Sequence, residues 1–469
     1  MIQYLYKSQE WVTTEQVDPD LYRNDSQYAE QIVAGAAVMG RGPPPSSPLS
    51  GFDNLFQNPN TLTPGRDSQQ GTFAVPFITQ KGARHAVRER IIDTVNAKYP
   101  LTLRMNSHVT KVVFTNTTGT PRATGVQFLD GAHLYRASPF SGSKGIPGSA
   151  TATKEVILAG GVYNTVQMLK LSGIGPQAEL RSFGITPLVN LPGVGLNMQD
   201  RYEVSVNTMH KRNFTVIDGC TYDAQSHDAC YQRWKSNPSD VGTSRGPYVS
   251  DGVAISMGVR SAYAANSDLD LYIFGGAFNF NGYFPGWPAV ALPDHLHFSW
   301  YSLKAHTRNT AGTVSLRSAD PLDTPIINFN YFDTGTTTDG ADDKDANALV
   351  QAVHMARQAL ANYSNYTRLG GSPFVEISPG PNVTSDADLK QFVKDRAWGH
   401  HAACTNKIGV ASDPNAVLDS QFRVRGTLGL RVVDASAFPR IPGIFIQAPI
   451  IMMSEKAADV ILSGIKTGS

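Results

Sequence analysis

Hydrophobic and polar positions change period several times along the chain, and each change marks an element. Residues 1–76 are polar and broken by GRGPPPSSPLSG and NPNTLTPG, so they read as loop around one helix near Ser26–Val38, covering a site or decorating the surface. From Thr79, QKGARHAVRERIIDTV places Val87, Ile91 and Val95 at helical spacing. LTLRM and HVTKVVF then alternate as strands, and Phe114 and residues 125–128 bracket TNTTGTPRA as a hairpin connection. EVILAGG, residues 155–161, is a buried strand running into a tight turn, after which Asn164 or Thr165 can cap a helix through a side-chain oxygen. Gly173-Ile174-Gly175-Pro176 stops that helix, and strand, turn and helix in this order make a dinucleotide-fold unit.

Residues 205–335 alternate short apolar runs (VAISMGV, LDLYIF, LHFSWYSL, TVSLRS) with Gly- and Asn-rich turns, which predicts a largely antiparallel sheet. Within it Phe278, Phe280, Tyr283 and Phe284 either pack or line a cavity. Asp339, Asp342, Asp343 and Asp345 lack the ligand spacing of a calcium loop. They precede a helix with Leu349, Val353, Ala356 and Leu360 on one face, where negative charge suits the helix start. Near the end, WGHHAACTNKIG sets His400 and His401 after a Trp-Gly break and before small residues, a place where an imidazole can face a cavity. Residues 430–433 form a short buried strand closed by Asp434, Ala435 and Ser436; this is either a capped turn or a close approach of backbone to a phosphate or ribitol group.

HAACTNKIG, VVDASAFPRIPG and SEKAADVIL, together with KEVILAGGVYNTVQMLKLSGIGPQAELRSFGITPLVNLPGVGLNMQDR at 154–201, resemble the signatures of the glucose–methanol–choline (GMC) family of flavoprotein oxidoreductases. The resemblance runs from about Phe77 to the end. It implies an α/β (α+β) fold in which an incomplete FAD-binding, Rossmann-like domain is interleaved with an antiparallel-sheet substrate domain. The expected division is a loop-rich segment 1–76, FAD-binding residues 77–204, a substrate-domain sheet 205–335, its helical part 336–397, and a C-terminal FAD-binding and catalytic segment 398–469. The family's catalytic His lies four residues before a Thr, so Thr405 selects His401 as the base, with FAD as cofactor, an alcohol as hydride donor and oxygen or a quinone as acceptor. By the same resemblance Val109, Asp434, Ala435, Ile446 and Gln447 contact the cofactor.

Three departures from the family pattern stand out. A second polar residue, His or Asn, is expected 43 or 44 positions after the first, where this chain has Ile444 or Phe445. Gln447 and Arg440 are the nearest substitutes, and Arg440 at the site would favour a carboxylate-bearing substrate. A usual Pro is Val166. No G-x-G-x-x-G turn is found, so the chain reads as lacking roughly the first hundred residues of the pattern. That leaves an incomplete oxidoreductase, an inactive short homologue, or a lyase of the hydroxynitrile type with structural flavin. A metal hydrolase on His400, His401 and Cys404 is disfavoured, because adjacent imidazoles seldom address one ion and no companion cluster has ligand spacing, so no metal is expected.

Composition adds bounds. The 469 residues, 41% hydrophobic and 17% charged, exceed one ordinary core, and 40 basic against 39 acidic residues give no electrostatic case for nucleic acid or a membrane surface. A small neutral substrate fits better. No apolar run reaches bilayer length. Cys220 and Cys230 either close a disulfide or stay reduced, and Cys404 is left over. Six N-x-S/T sequons, at Asn24, Asn116, Asn213, Asn362, Asn365 and Asn382, tilt towards secretion, although MIQYLYKSQEWV carries no signal-peptide pattern.

Overall fold

A computed structural model describes residues 11–44, 46–115, 119–238, 243–292, 294–332, 340–366 and 372–467. In chain order come α1 (Ser26–Val38), β1 (Gly71–Ala74), α2 (Val87–Asn96), and the strands β2 (Ser107–Thr115), β3 (Arg122–Asp130) and β4 (Ile146–Thr151). Then follow β5 (Val156–Leu158), α3 (Gly161–Leu171), β6 (Tyr202–His210), β7 (Val253–Val259), β8 (Leu271–Gly276) and β9 (His297–Lys304). The last elements used below are α4 (Ala341–Tyr366), β10 (Phe374–Ser378), α5 (Asp386–Arg396), β11 (Leu430–Val432) and α6 (Gln447–Thr467).

An antiparallel sheet is present as six strands in the order β10, β6, β9, β8, β7, β1, every neighbouring pair antiparallel, but β1 and β10 come from outside residues 205–335, and the TVSLRS run pairs instead with residues 326–328 in a separate two-stranded sheet. Strands β7 and β9 are buried at every position, which explains why their sequences read as nearly continuous apolar runs. Helices α1 and α4 pack together against this sheet, and the largest core joins Tyr28, Ile32, Phe298, Trp300, Leu349, Val353 and Leu360. Helix α1 starts where the Asp25 carboxylate accepts from the Tyr28 amide at 2.9 Å. Its Gly35 faces the Trp300 ring so closely that a Cβ there would stand 2.5 Å from it, so glycine is what lets helix and sheet meet. The segment read as loop-rich therefore supplies both a buried helix and the edge strand β1.

A second, smaller core surrounds the parallel pair β5 and β11, in register as Val156 with Leu430 and Leu158 with Val432. These two strands with α3 are the Rossmann-like part. The strands β2, β3 and β4 form a separate antiparallel meander, joined to α3 where the Ser172 hydroxyl accepts from the Val112 amide at 2.9 Å.

LTLRM is not a strand. Leu101, Leu103 and Met105 are 44%, 54% and 69% exposed, and alternation alone cannot make a strand where no neighbour pairs with it. Thr165 does reach back, but from the second turn of α3, where its hydroxyl accepts from the Gly160 amide at 2.9 Å. The acidic run opens α4 as expected, with Asp345 buried and bonded to Arg308 Nη1 at 2.9 Å, while Asp339 lies outside the described residues. Of the sequons, Asn24, Asn213, Asn365 and Asn382 are exposed, Asn362 is half-buried and Asn116 is outside the described residues.

Cys220 and Cys230 form a disulfide and Cys404 is free and buried. Thiol titration of the denatured chain should therefore count one group before reduction and three after. Closing a loop of ten residues is worth about 3 kcal/mol on chain-entropy grounds, so Cys230→Ser should lower unfolding free energy by roughly that much. Three titratable thiols without reductant would refute the pairing.

Candidate active site

The residues that open β6 hold the histidine segment by a short antiparallel clamp. Gln199 and Ala403 exchange backbone hydrogen bonds at 3.1 and 2.8 Å, and Glu203 and Trp398 do so at 2.8 and 3.0 Å. Between these rungs the His401 amide donates to Asp200 Oδ1 at 2.8 Å. Asp200 also accepts from the Arg201 amide at 2.8 Å and from the Tyr331 hydroxyl at 2.8 Å, and its carbonyl accepts from Thr307 at 2.6 Å. After His401 the chain kinks at Cys404, whose φ of 79° is an uncommon conformation for a residue with a side chain. It then runs along residues 435–437, with Cys404, Asn406 and Ile408 amides donating to Ala435, Ser436 and Ala437 carbonyls. His401 thus sits where the large sheet meets the end of β11.

The two imidazoles lie face to face, ring centroids 4.0 Å apart and 38° from parallel. Both Nδ1 atoms are 3.4 Å from one atom, Glu203 Oε1. Glu203 is almost fully buried on β6, and neither its Oε1 nor His401 Nδ1 makes a hydrogen bond. Burial pushes the Glu203 carboxyl well above the usual range, Asp200 adds to this and Arg201 opposes it. Burial also holds His401 down to about 2, reinforced by His400 and Arg201, and holds His400 down to about 4, reinforced by Arg201. Although the spacing is that of an ion pair, desolvation favours the neutral forms of both partners. His401 is therefore an uncharged imidazole with Nδ1 turned towards Glu203.

The carboxyl ends of β5 and β11 are tied by Asp434. Its Oδ2 accepts from the Gly161 amide at 2.9 Å and Thr165 Oγ1 at 2.6 Å, and its Oδ1 accepts from Ser436 N at 2.8 Å and Oγ at 2.5 Å. Four donors fill the four lone-pair positions of a carboxylate, so Asp434 positions backbone and has little capacity left for a ligand. Ala435 packs with Val162, Ala402 and Ile446 in one small cluster, which brings two of the cofactor residues expected from sequence beside the histidine segment. Gln447 is exposed at the start of α6. Val109 is half-buried on β2, paired with Phe128, outside that cluster.

The residues present fit a flavin nucleotide at this edge. Gly161, with φ of 79°, has nothing within 4 Å of a built Cβ, Gly160 before it is exposed, and the small Ala402 and Ala435 pack with Val162 beside that turn. Beyond His400 stands an aromatic wall. Trp398 stacks on His400 at 5.6 Å and 14°, Tyr283 meets it edge-on at 4.7 Å, and Phe280 meets Trp398 at 5.2 Å. Of the four aromatics singled out in sequence, Phe278 and Phe280 are buried, while Tyr283 and Phe284 are exposed. Phe445 meets His401 at 5.7 Å, and Ile444 packs on Tyr272, Leu303 and Ala305. Arg201 Nη2 donates to the Pro442 carbonyl at 2.5 Å, fixing the loop that carries both. Asp200, Arg201 and Glu203 were not singled out in the sequence; Asp200 and Arg201 close the 154–201 stretch that resembles the family, and Glu203 shows only as a charge at the head of a strand that otherwise reads as core.

Parallel strand ends with a Gly-Gly turn thus stand beside a buried neutral imidazole and the edge of an antiparallel sheet. A family model described as GMC oxidoreductase matches its N-terminal part at residues 56–203 and its C-terminal part at 308–454. An oxygen-dependent choline dehydrogenase of Staphylococcus aureus (strain MSSA476) is 32% identical over 439 residues, 91% of this chain and 68% of the relative. Among solved structures, Aspergillus oryzae RIB40 formate oxidase superimposes with a TM-score of 0.71 at 22% identity, over 95% of this chain and 71% of the other. An FAD-dependent oxidoreductase from Chaetomium thermophilum gives 0.66 at 20% identity, over 97% and 84%. The chain belongs to the GMC oxidoreductase family, whose members are FAD-binding flavoproteins.

If the clamp depends on Asp200, Asp200→Ala should strand two buried amides and the half-buried Tyr331 hydroxyl, and cost about 3–5 kcal/mol of unfolding free energy in a urea titration. A loss below about 1 kcal/mol would show that the histidine segment is held by other contacts.

Proposed function

We propose that the chain is an FAD-dependent oxidoreductase acting on the CH–OH group of an alcohol, with His401 as the base. The observation that carries this reading is the uncharged, buried His401 ring, its amide fixed by Asp200 and its Nδ1 facing Glu203, beside the Ala402–Ala435–Ile446 cluster. FAD, when bound, accepts the hydride leaving the carbinol carbon. Gly161, Ala435, Ile446 and Gln447 would hold it near the histidine segment, and Val109 would hold its far end.

His401 takes the hydroxyl proton. With the proton on Nδ1, the nitrogen 3.4 Å from Glu203 Oε1, the lone pair sits on Nε2, which is then the atom that accepts the hydroxyl proton. Asp200 and the two clamp rungs fix the ring's place before substrate arrives. At the positions expected for a second polar group stand Ile444 and Phe445, so the hydroxyl meets its base beside an apolar neighbour that excludes water. The rings of Tyr283 and Trp398 beside His400 and of Phe445 beside His401 favour an alcohol with an apolar or cationic tail over a carboxylate. The likeness to a choline dehydrogenase makes choline the first such alcohol to try, with oxygen as acceptor.

Reconstituted with FAD, His401→Ala should keep the flavin band while its reduction by an alcohol slows roughly 10²–10⁴-fold in stopped flow. Reduction at wild-type speed would remove His401 from the mechanism, and a wild-type band lost on gel filtration would leave the chain an inactive relative. Because His401 and His400 are held to about 2 and about 4, both stay neutral above those values. The wild-type reduction rate should therefore be flat from about pH 8 down to about pH 5. A sigmoidal loss centred near pH 6.5 would mean that the base is an ordinary, solvated imidazole.

A further inference from the structure

We propose that Glu203, His400 and His401 form a binding site for a divalent transition-metal ion, with Zn²⁺ the best chemical fit. One ligating atom from each of the three lies within 4.8 Å of the others. Glu203 Oε1 stands 3.4 Å from His400 Nδ1 and 3.4 Å from His401 Nδ1. An ion with bonds of about 2.1 Å to nitrogen and oxygen in tetrahedral geometry needs its ligand atoms roughly 3.4 Å apart, so the spacing that is too long for a hydrogen bond is right for a shared metal.

The second observation is independent of that spacing. Glu203 Oε1 and His401 Nδ1 are both buried and both without a hydrogen bond, a costly state that an ion between them would relieve. Adjacent histidines usually diverge; here the Trp398–Ala403 clamp turns both rings to one side, centroids 4.0 Å apart. Each ligand is held in place: Glu203 by its two backbone bonds to Trp398, His401 by its amide bond to Asp200, and His400 by stacking on Trp398. The His400 side chain is 38% exposed, which gives an ion a way in and leaves a fourth position for water. The Arg201 guanidinium nearby opposes a cation, and the Glu203 carboxyl gives up its proton to solvent as the ion takes its place. Two imidazoles and one carboxylate are a donor set that suits Zn²⁺ more than Mg²⁺ or Ca²⁺.

Such an ion has a consequence that rests on the proposed function. Metal on His401 Nδ1 leaves the ring's proton on Nε2, so the nitrogen that serves as base becomes a donor and proton abstraction stops. Calorimetric titration of the purified full chain with ZnCl₂ should show one saturable site, and His400→Ala, a change at a partly exposed side chain, should weaken it roughly tenfold or more. Glu203→Gln should weaken it likewise, and Co²⁺ should give the ligand-field spectrum of a tetrahedral nitrogen–oxygen site. Absence of saturable binding up to about 1 mM Zn²⁺, or wild-type affinity in both variants, would overturn the proposal. Zn²⁺ should also block flavin reduction reversibly by chelator. One-site binding weakened by His400→Ala, with reduction unaffected, would uphold the metal site and instead overturn the assignment of Nε2 as base.

Discussion

Two rungs of backbone pairing, Gln199 with Ala403 and Glu203 with Trp398, determine where the histidines stand, and Asp200 fills the gap between them by accepting the His401 amide. A helix or loop packed only through side chains would let an imidazole explore many rotamers. Pairing to the first residues of β6 makes the histidine segment an extension of the six-stranded sheet, as rigid as the core behind it. The sheet in turn is fixed by Trp300 and Gly35, whose close contact sets the distance between β9 and α1. Thus a site near the surface inherits its precision from packing on the far side of the sheet.

The same burial sets the electrostatics. Glu203, Asp200, Arg201 and His401 are all withdrawn from water where two distant segments meet, and each pays for lost hydration by drifting towards its neutral form or by pairing. Asp200 has enough donors to remain a structural acceptor. Glu203 has none at Oε1, and that difference separates a carboxylate that holds backbone from one available to a ligand or an imidazole.

Asp434 illustrates how a sequence motif can be placed correctly and assigned the wrong immediate partner. Its position at the end of β11 follows from the VVDAS pattern, and the neighbouring Ala435 does face the small-residue cluster. Its carboxylate, however, spends all four lone-pair positions on Gly161, Thr165 and Ser436. It joins the two parallel strands across more than two hundred residues of intervening chain. Any service to a cofactor passes through the backbone it orients.

From the chain alone the apolar runs placed β7, β8 and β9, and helices were legible at α1, α3 and α4, since burial of a strand or helix face leaves a regular trace in sequence; β6, β1 and β10 were not. The paired signatures settled the family, because short backbone-defined turns at strand ends tolerate few residue types. The sequence could not show that Glu203 meets two adjacent histidines, that Asp434 is saturated, that residues 101–105 lack a pairing partner, or which cysteines join. Each of those depends on which distant segments come side by side, and a local pattern carries no record of a contact made across two hundred residues. Only the folded chain decides it.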